Sequence, residues 1–312
     1  MKKISIVTNC YNEEKNISIL YEKVKEQMEK LPYEWEFIIE DNASTDNTVN
    51  VIREICNKDK RVKALLNTRN FGWVRSPHNV MLSGFGDAVI FMVSDLQDPP
   101  ELLPQMIKKW EEGYKIVLGQ KNKSKENPLM YTVRKLFYKI MRTIADDNTE
   151  QLKQCTGFGL YDKEVMDIFR KIDDPYPYLR GLICEVGFDK YFIQFTQPKR
   201  KSGFSKNNFY RLYDYAMLGI VKHSRVPLRM VTFVGVICSF ISLLIAITYF
   251  FAKLIFWDSF ALGKAPLIIG LFFFSSVQLF FLGLIGEYVG AIYTRVDKKP
   301  LVVIKEKINF DE

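Results

Sequence analysis

The stretch AVIFMVSDLQDPPE, residues 88–101, gives the clearest indication of the fold of this 312-residue chain. Residues 88–93 are apolar without interruption, as expected for a strand covered on both faces of a sheet, and polar residues follow at once. Three earlier segments have the same order of strand, polar loop and helix. Their predicted strands are residues 4–8, 36–40 and 62–66. The helices that follow these strands are predicted over residues 13–30, over residues 44–55 with an N-cap at 44–46, and over residues 74–84. This alternation predicts an α/β fold with a mainly parallel sheet.

Polar residues follow each of the four predicted strands, in the segments 9–14, 41–46, 67–73 and 94–101. In a parallel sheet, ligands bind beyond the carboxyl ends of the strands, so these segments are the predicted site. The sequence contains no Walker loop and no GxGxxG motif, which excludes an ordinary P-loop or dinucleotide site. Phosphate groups would have to be held by a metal ion, by Arg or Lys, or by helix N-termini.

The composition narrows the chemistry further. The five cysteines form no CxxC pair and there are only two histidines, which argues against a zinc site, a disulfide framework or histidine-based catalysis. The formal net charge of +8 suits an anionic partner such as a phosphorylated ligand, an acidic membrane surface or a nucleic acid. Because the basic excess clusters beside long apolar runs, it favours a membrane, and we expect no nucleic-acid partner.

Two uncharged runs, Met230–Ala252 and Ala265–Gly286, lie in the last third of the chain. Each exceeds the roughly 20 residues that a helix needs to cross a hydrocarbon core, and together they predict a transmembrane hairpin rather than helices buried in a soluble protein. Basic residues flank the outer ends of the pair: Lys222, Arg225 and Arg229 before it, Arg295, Lys298 and Lys299 after it. The positive-inside rule therefore predicts that the N-terminal domain and both termini are cytoplasmic.

The segment before the first run, residues 207–229, has an apolar stripe at helical spacing: Phe209, Leu212, Tyr213, Ala216, Met217, Ile220 and Val221. Between Lys199 and Arg229 there are eight basic residues and a single acid. An apolar stripe surrounded by cations predicts a helix lying on an anionic membrane surface. The alternative is a helix packed on the soluble domain, since both use the same periodicity.

The strand-end motifs YNEE (11–14), DNASTDNT (41–48), RNFG (69–72) and SDLQDPPE (94–101), in that order, resemble glycosyltransferase family 2. Later segments are similar to polyprenyl-phosphate glycosyltransferases, a group that includes dolichol-phosphate mannose synthases and bacterial undecaprenyl-phosphate glucosyltransferases. These segments are RKLFYKI (134–140), GFGLYD (157–162), YLRGL (178–182), PKRKSGFSK (198–206) and GEYVGAIYTRV (286–296). The resemblance covers nearly the whole chain. It implies a GT-A-type, Rossmann-like domain followed by an amphipathic juxtamembrane helix and the two-helix hairpin.

The resemblance also implies roles for individual residues. Tyr11 and Asp41 would stack on and hydrogen-bond the nucleobase of a nucleotide-sugar donor, with Glu13 in the same pocket. The other predicted donor-site residues are Asn12, Asn70 and Ser94. Arg134, Arg200, Ser205 and Lys206 resemble the cluster that receives the acceptor's phosphate, for which Arg offers forked donors and Lys a point charge.

Asp95 is the predicted catalytic residue and, with Gln97, the predicted ligand of Mg²⁺ or Mn²⁺. Such a cation prefers oxygen ligands and would ease departure of the donor's diphosphate. The family's metal motif usually reads Asp-x-Asp, whereas this chain has Val93-Ser94-Asp95 and so lacks the first acid. Gly157 and Gly159 stand where the family usually has an Asp and an Arg.

The predicted reaction is transfer of a sugar, from a UDP-hexose by preference, to a polyprenyl phosphate such as undecaprenyl phosphate, with inversion. A sugar hydroxyl normally needs a base to take its proton, whereas a phosphate monoester is largely dianionic at pH 7. The missing acids therefore favour a phosphate acceptor. Two alternatives stay open: a transferase that acts on a glycan or lipid hydroxyl, and a non-catalytic relative.

The sequence divides the chain into four predicted parts. They are a catalytic domain (1–206), the juxtamembrane helix (207–229), the transmembrane hairpin (230–295) and a cytoplasmic tail (296–312). The expected location is the inner, cytoplasmic membrane, and the resemblance suggests a homo-oligomer, a tetramer packed through the membrane spans.

Overall fold

The computed structural model describes residues 1–122, 155–198, 264–297 and 299–310, together with individual residues between 233 and 255. Its strands are β1 (Lys3–Cys10), β2 (Glu34–Asp41), β3 (Val62–Asn67), β4 (Ala88–Phe91), β5 (Ile116–Lys121), β6 (Cys155–Asp162), β7 (Lys190–Phe195) and β8 (Ile304–Ile308). Its helices are α1 (Ile17–Met28), α2 (Thr48–Lys58), α3 (Gly72–Leu82), α4 (Leu103–Glu111), α5 (Lys163–Lys171), α6 (Leu179–Glu185) and α7 (Lys264–Val296), with a 3₁₀ turn at Pro100–Leu102.

All eight strands join one sheet in the order β7-β5-β6-β4-β1-β2-β3-β8. The first four strands are parallel, as predicted. The sheet as a whole is mixed, because β6 runs antiparallel to β4 and β5, and β8 runs antiparallel to β3. From β1 the chain moves outward to β2 and β3 and then returns to place β4 on the other side of β1. This reversal opens a crevice between the carboxyl ends of β1 and β4, where α/β sheets bind ligands.

Two apolar clusters cover the two faces of the sheet. Successive residues of β2 alternate between them: Phe37 and Ile39 lie in the cluster with α1, α2 and α4, whereas Ile38 lies in the cluster with α3, α5 and α6. The period of two residues follows from the pleat of a strand. Both faces are thus closed, and the strand-end loops are left as the accessible edge.

Two predicted boundaries move for identifiable reasons. Helix α1 begins at Ile17 rather than at Glu13, because the Glu13 N–H donates to Thr48 Oγ1 (2.9 Å) and its carboxylate accepts from Asn16 Nδ2 (2.6 Å). Strand β4 ends at Phe91 rather than at Val93, because the Val93 N–H donates to Asp98 Oδ2 (3.0 Å) instead of to a neighbouring strand. Glu13 and Val93 therefore belong to the loops of the candidate site and not to helix α1 or strand β4.

Strand β8 was not predicted, since residues 304–308 lie within the predicted C-terminal tail. The strand extends the sheet beyond β3, and Ile304 pairs with Asn67 at the carboxyl end of β3. The two oxygens of Glu306 accept from the two terminal nitrogens of Arg53 at 2.7 and 2.6 Å. Asn309 Nδ2 donates to the carbonyls of Cys56 and Val62, both at 2.8 Å. The end of the chain is therefore part of the sheet.

Helix α7 contains the segment Phe273–Val296, which is the one helix among the described residues that is long and apolar enough to cross a membrane. The predicted run Ala265–Gly286 lies within α7, and the helix continues to Val296. In the other predicted run, residues 233–238 are helical and the remainder is only partly described. The two-helix hairpin therefore stays a prediction, and residues 207–229 lie outside the described residues.

Candidate functional site

The loops after β1 and β2 are joined by hydrogen bonds. The Asn12 N–H donates to Ser44 Oγ (2.9 Å), and Asn12 Oδ1 accepts from the Thr45 N–H (2.8 Å). Asn12 has a φ of 58° and Ala43 a φ of 60°; Asn tolerates this left-handed conformation, whereas for Ala it is strained. Such strain persists only where surrounding contacts impose it, and it is common at ligand sites.

Asp41, predicted to bind the nucleobase, lies at the end of β2 and is 1% exposed. Its Oδ2 accepts from the Ser44 N–H (2.9 Å), and its Oδ1 accepts from the hydroxyl of the same serine. A carboxylate has about four lone-pair positions, so Asp41 can still accept a hydrogen bond from a ligand. Tyr11 lies half-buried in the neighbouring loop.

Asn42 is a central residue that the sequence analysis did not single out. It is buried, and its Oδ1 accepts from the Phe71 N–H (2.8 Å), while its Nδ2 donates to Asn70 Oδ1 (3.0 Å) and to the Gly72 carbonyl (3.2 Å). Asn70 Oδ1 also accepts from the Gly72 N–H (2.8 Å). The side chain of Asn70 thus shapes the loop after β3, and its predicted contact with the donor stays a prediction.

Beneath these loops lies Glu40, a second residue that the analysis missed. Its side chain is fully buried and accepts from Asn67 Nδ2 and Asn79 Nδ2, each at 2.8 Å. Burial raises the pKa of Glu40 to about 7, against the opposing effect of these hydrogen bonds. The signal in the sequence was an acid placed next to Asp41 at the end of an apolar strand.

The turn after β4 carries Ser94, Asp95 and Gln97. Asp95 Oδ1 accepts from the Gln97 N–H at 3.1 Å, and Leu96 between them has a φ of 62° although its side chain is buried. Asp98 is also buried, and burial raises its pKa to about 7. The pairing of β4 with β1 sets this turn beside the loop that carries Tyr11.

No group of three or more His, Cys, Asp or Glu side chains is poised to hold a metal ion within the described ranges. Asp95 and the amide oxygen of Gln97 offer two hard ligands at the strand end. This donor set fits Mg²⁺ or Mn²⁺ when substrate phosphates and water supply the other ligands. It does not fit a metal held by the protein alone.

The family model described as glycosyl transferase family 2 matches residues 5–169, from β1 through α5. The chain belongs to glycosyl transferase family 2. It is therefore a glycosyltransferase that uses a nucleotide-sugar donor, and the family that its motifs resemble is confirmed.

Relatives match over nearly their whole length. The SfII prophage-derived bactoprenol glucosyl transferase of Shigella flexneri is 32% identical over 306 residues, which cover 97% of this chain and 98% of that one. The uncharacterized glycosyltransferase YkcC of Bacillus subtilis is 32% identical over 309 residues, covering 98% and 94%. Among solved structures, the glucosyl-3-phosphoglycerate synthase of Mycobacterium tuberculosis, in complex with Mn²⁺, UDP and glucosyl-3-phosphoglycerate, has a TM-score of 0.50 at 18% identity, covering 70% of this chain and 78% of that one. The likeness shows a shared GT-A-like α/β fold.

Gly157 and Gly159, where the resemblance implies an Asp and an Arg, have little room for a side chain. Gly157 has a φ of +94°, and a Cβ at this position would lie 2.8 Å from Leu179 Cδ2. At Gly159 a Cβ would lie 2.5 Å from the backbone oxygen of Val117, which β5 holds in place. Neither glycine accepts a side chain without movement of its neighbours.

Val93, the third departure, lines a cavity of about 260 Å³ between α3 and the start of α6. Phe91, Trp73 and Leu179 also contribute to its wall, together with the polar residues Asn9, His78 and Arg180. The predicted acceptor-phosphate residues Arg134, Arg200, Ser205 and Lys206 lie outside the described residues, so their roles stay predictions.

Proposed function

We propose that this glycosyltransferase transfers a sugar from a nucleotide donor, a UDP-hexose by preference, to a polyprenyl phosphate at the cytoplasmic face of a membrane. The near full-length similarity to a protein named bactoprenol glucosyl transferase supports a polyprenyl phosphate as acceptor and favours undecaprenyl phosphate. The structural observation that carries the proposal is the attachment of the long apolar helix α7 to the sheet through β8.

Strand β8 begins at the same edge of the sheet as the candidate site. Ile304 pairs with Asn67 at the carboxyl end of β3, and the Thr68 N–H donates to the Val303 carbonyl (2.9 Å). Eight residue steps separate Val296 from Ile304, and an extended chain covers about 3.6 Å per step, so the end of α7 lies within about 30 Å of that edge. A membrane crossed by α7 would thus lie close to the donor loops.

The same pairing supports an even number of membrane crossings. Strands β1 to β7 precede the apolar runs and β8 follows them, yet all belong to one sheet. If α7 crosses the membrane, a second crossing must occur between residues 199 and 263 to return the chain to the same side. The uncharged run Met230–Ala252 is long enough to supply it. The basic residues that flank the pair favour the cytoplasmic side.

The donor would bind along the loops after β1, β2 and β4. Tyr11 offers a stacking surface, and the buried Asp41 offers an acceptor for the N–H of a base such as uracil. Asp95 and Gln97 would hold the divalent cation that neutralises the diphosphate when the donor is bound. The strained turn at Leu96 holds the Asp95 backbone in position before the donor arrives.

The acceptor needs little help to become a nucleophile. The second pKa of a phosphate monoester is near 6, so most of it is dianionic at pH 7. Single displacement with inversion then requires positioning and no base at position 157, where the chain has glycine. The proposed receiving cluster is Arg134, Arg200, Ser205 and Lys206.

The test is transfer by membranes that contain the chain. Radiolabelled UDP-glucose, UDP-galactose, UDP-N-acetylglucosamine and GDP-mannose are each supplied with Mn²⁺ or Mg²⁺ and undecaprenyl phosphate, and the lipid extract is counted. We expect label in the lipid from a UDP-hexose, loss of it with EDTA, and at least a hundredfold loss in Asp95→Asn. Glu112→Gln is the matched control, because this exposed carboxylate forms a surface ion pair with Lys109 away from the site loops, and its loss should leave the rate within twofold.

Two outcomes would overturn the proposal. Label that enters undecaprenol or a glycolipid hydroxyl while undecaprenyl phosphate stays unlabelled would favour the hydroxyl acceptor. Absence of transfer from every donor, with no stabilisation of the protein by UDP and Mn²⁺, would favour a non-catalytic relative. The proposed tetramer is tested separately, by the mass of the detergent-solubilised protein.

A further inference from the structure

The cavity beside Val93 lies at the reversal point of the sheet. Asn9 at the end of β1, Phe91 at the end of β4, Trp73 and Pro77 on α3 and Leu179 at the start of α6 line its volume of about 260 Å³. Pockets for complete small molecules measure roughly 300–1,000 Å³. This cavity therefore has room for part of a substrate and not for a whole nucleotide sugar.

The wall of the cavity is mainly apolar: Asn9, His78 and Arg180 are polar, and the other lining residues are aliphatic, aromatic or proline. Val93, in place of the first acid of the metal motif, lines the cavity directly. A Cβ added at Gly157 would lie 2.8 Å from Leu179 Cδ2 and 4.0 Å from Phe91 Cδ1. Both of these residues line the cavity. Val93 and Gly157, at positions where the resemblance implies acids, thus leave this part of the wall without a carboxylate.

Positive charge lies around the same edge. Arg180 lines the cavity, and the Arg75 guanidinium lies 5.7 Å from the ring centre of Tyr176, next to the lining residue Pro177. Arg75 Nε is buried and has no hydrogen-bond partner among the described residues.

We infer that this cavity receives the first isoprene unit of the acceptor lipid, with Arg180 beside the phosphate that the unit carries. The inference rests on the proposed function. A hexose bears a hydroxyl group on most of its carbons, and each hydroxyl buried against an apolar wall without a partner is unfavourable. An isoprene unit bears none, and its phosphate suits the forked donors of an arginine. Trp73, 44% exposed at the rim, offers an apolar and amphipathic surface to a chain that arrives from the membrane.

The experiment compares two soluble acceptors in detergent with the full-length protein: farnesyl phosphate, whose first unit is an isoprene, and n-dodecyl phosphate, whose chain is unbranched. We expect wild type to have the lower KM for farnesyl phosphate. Trp73→Ala should raise that KM about tenfold and reduce the preference, because it removes a large apolar contact. Leu179→Ala should act in the same direction, and the KM of the nucleotide sugar should change less than twofold in both variants.

Phe85→Ala is the matched control. Phe85 is also an exposed aromatic residue, but it follows the opposite end of α3, near the amino ends of the strands. Its loss should leave the KM of both acceptors unchanged. Melting temperatures of all variants within a few degrees of wild type show that the effects arise from binding.

The outcomes separate the inference from the function on which it rests. If wild type labels undecaprenyl phosphate but Trp73→Ala and Leu179→Ala leave the acceptor KM unchanged, or raise the donor KM instead, the cavity does not hold the isoprene unit. If wild type labels no lipid phosphate of any length, the proposed function fails, and the inference fails with it.

Discussion

The carboxyl edge of the sheet has two halves that are built differently. Above β1, β2 and β3 the loops are held by side-chain hydrogen bonds that converge on Asn42, over a buried Glu40. Beside β4 and β6 the neighbouring surface is apolar, and Leu179 fills the space next to Gly157. Hydrogen bonds fix atoms in definite directions, whereas apolar packing selects for size and shape.

The difference matches the two substrates proposed for the enzyme. A nucleotide diphosphate presents many polar atoms at fixed positions, so a rigid polar surface suits it. A polyprenyl phosphate presents one charged group on a hydrocarbon chain, so an apolar cavity with a neighbouring arginine suits it. Each of the first three variants below disturbs one half and should leave the other unchanged, and the fourth tests the attachment of β8 at the edge of the sheet.

The largest effect is expected from Asn42→Ala in the polar half. The substitution leaves the buried Phe71 N–H without its acceptor and removes one of the two hydrogen bonds to Asn70 Oδ1, so we expect a loss of about 2 kcal/mol in the free energy of unfolding. The Kd for UDP, measured by calorimetry, should rise about tenfold while the acceptor KM stays unchanged. Asn50→Ala is the control, because that exposed side chain donates to Asn47 on the surface of α2 and its loss should cost under about 0.5 kcal/mol. An equal rise of donor and acceptor constants would mean that the halves are not independent.

The next effect concerns pH and Glu40. Its pKa is about 7 in the folded protein and about 4.3 in an unfolded chain, so the folded state binds more protons between these values. The raised pKa makes its full contribution to the free energy of unfolding below pH 4. As the pH rises towards 7 this contribution is lost, and the free energy of unfolding falls by up to about 1.4 kcal/mol per pH unit. Glu40→Gln should flatten this slope in denaturant unfolding followed from pH 4.5 to 7.5. A slope equal to that of wild type would show that Glu40 is charged in the folded state.

A smaller effect is expected from Gly157→Ala in the apolar half. Gly157 and Gly113 have similar φ values, +94° and +105°, but a Cβ at Gly113 meets nothing within 4 Å. Backbone strain should therefore be equal in the two alanine variants, and Gly157→Ala should cost about 1–2 kcal/mol more because it overlaps Leu179. Leu179→Ala in the Gly157→Ala background should recover part of that difference. An equal loss of unfolding free energy in Gly157→Ala and Gly113→Ala would show that Leu179 moves aside without cost.

The smallest effect concerns the ion pair between Arg53 and Glu306, which joins α2 to β8. Both side chains are about two-fifths exposed, at 42% and 38%, so a double-mutant cycle with alanine should give a coupling of about 0.5–1 kcal/mol. Neither single variant should change the donor Kd. A large loss of lipid transfer in Glu306→Ala, with UDP binding intact, would show that β8 positions the site relative to the membrane as well as completing the sheet.

Much of the molecule could be predicted from the sequence alone. The uninterrupted apolar run of residues 88–93, the polar loops after the strands and the uncharged runs near the end are local patterns, because burial and period depend on neighbouring residues. They predicted the alternating α/β order, the four loops of the candidate site and the long apolar helix α7. The motif series also identified the family.

Tertiary structure alone decided the rest. Strand β8 pairs with β3 across more than 200 residues of chain, and the local sequence of residues 304–308 does not indicate that β3 is its partner. The roles of Asn42 and Glu40, the left-handed turns at Ala43 and Leu96, and the cavity between Val93 and Leu179 exist only once separate strands are side by side. Local patterns specify which elements form and which residues are buried. Contacts between distant segments specify their partners, and these contacts gain their free energy only in the assembled sheet.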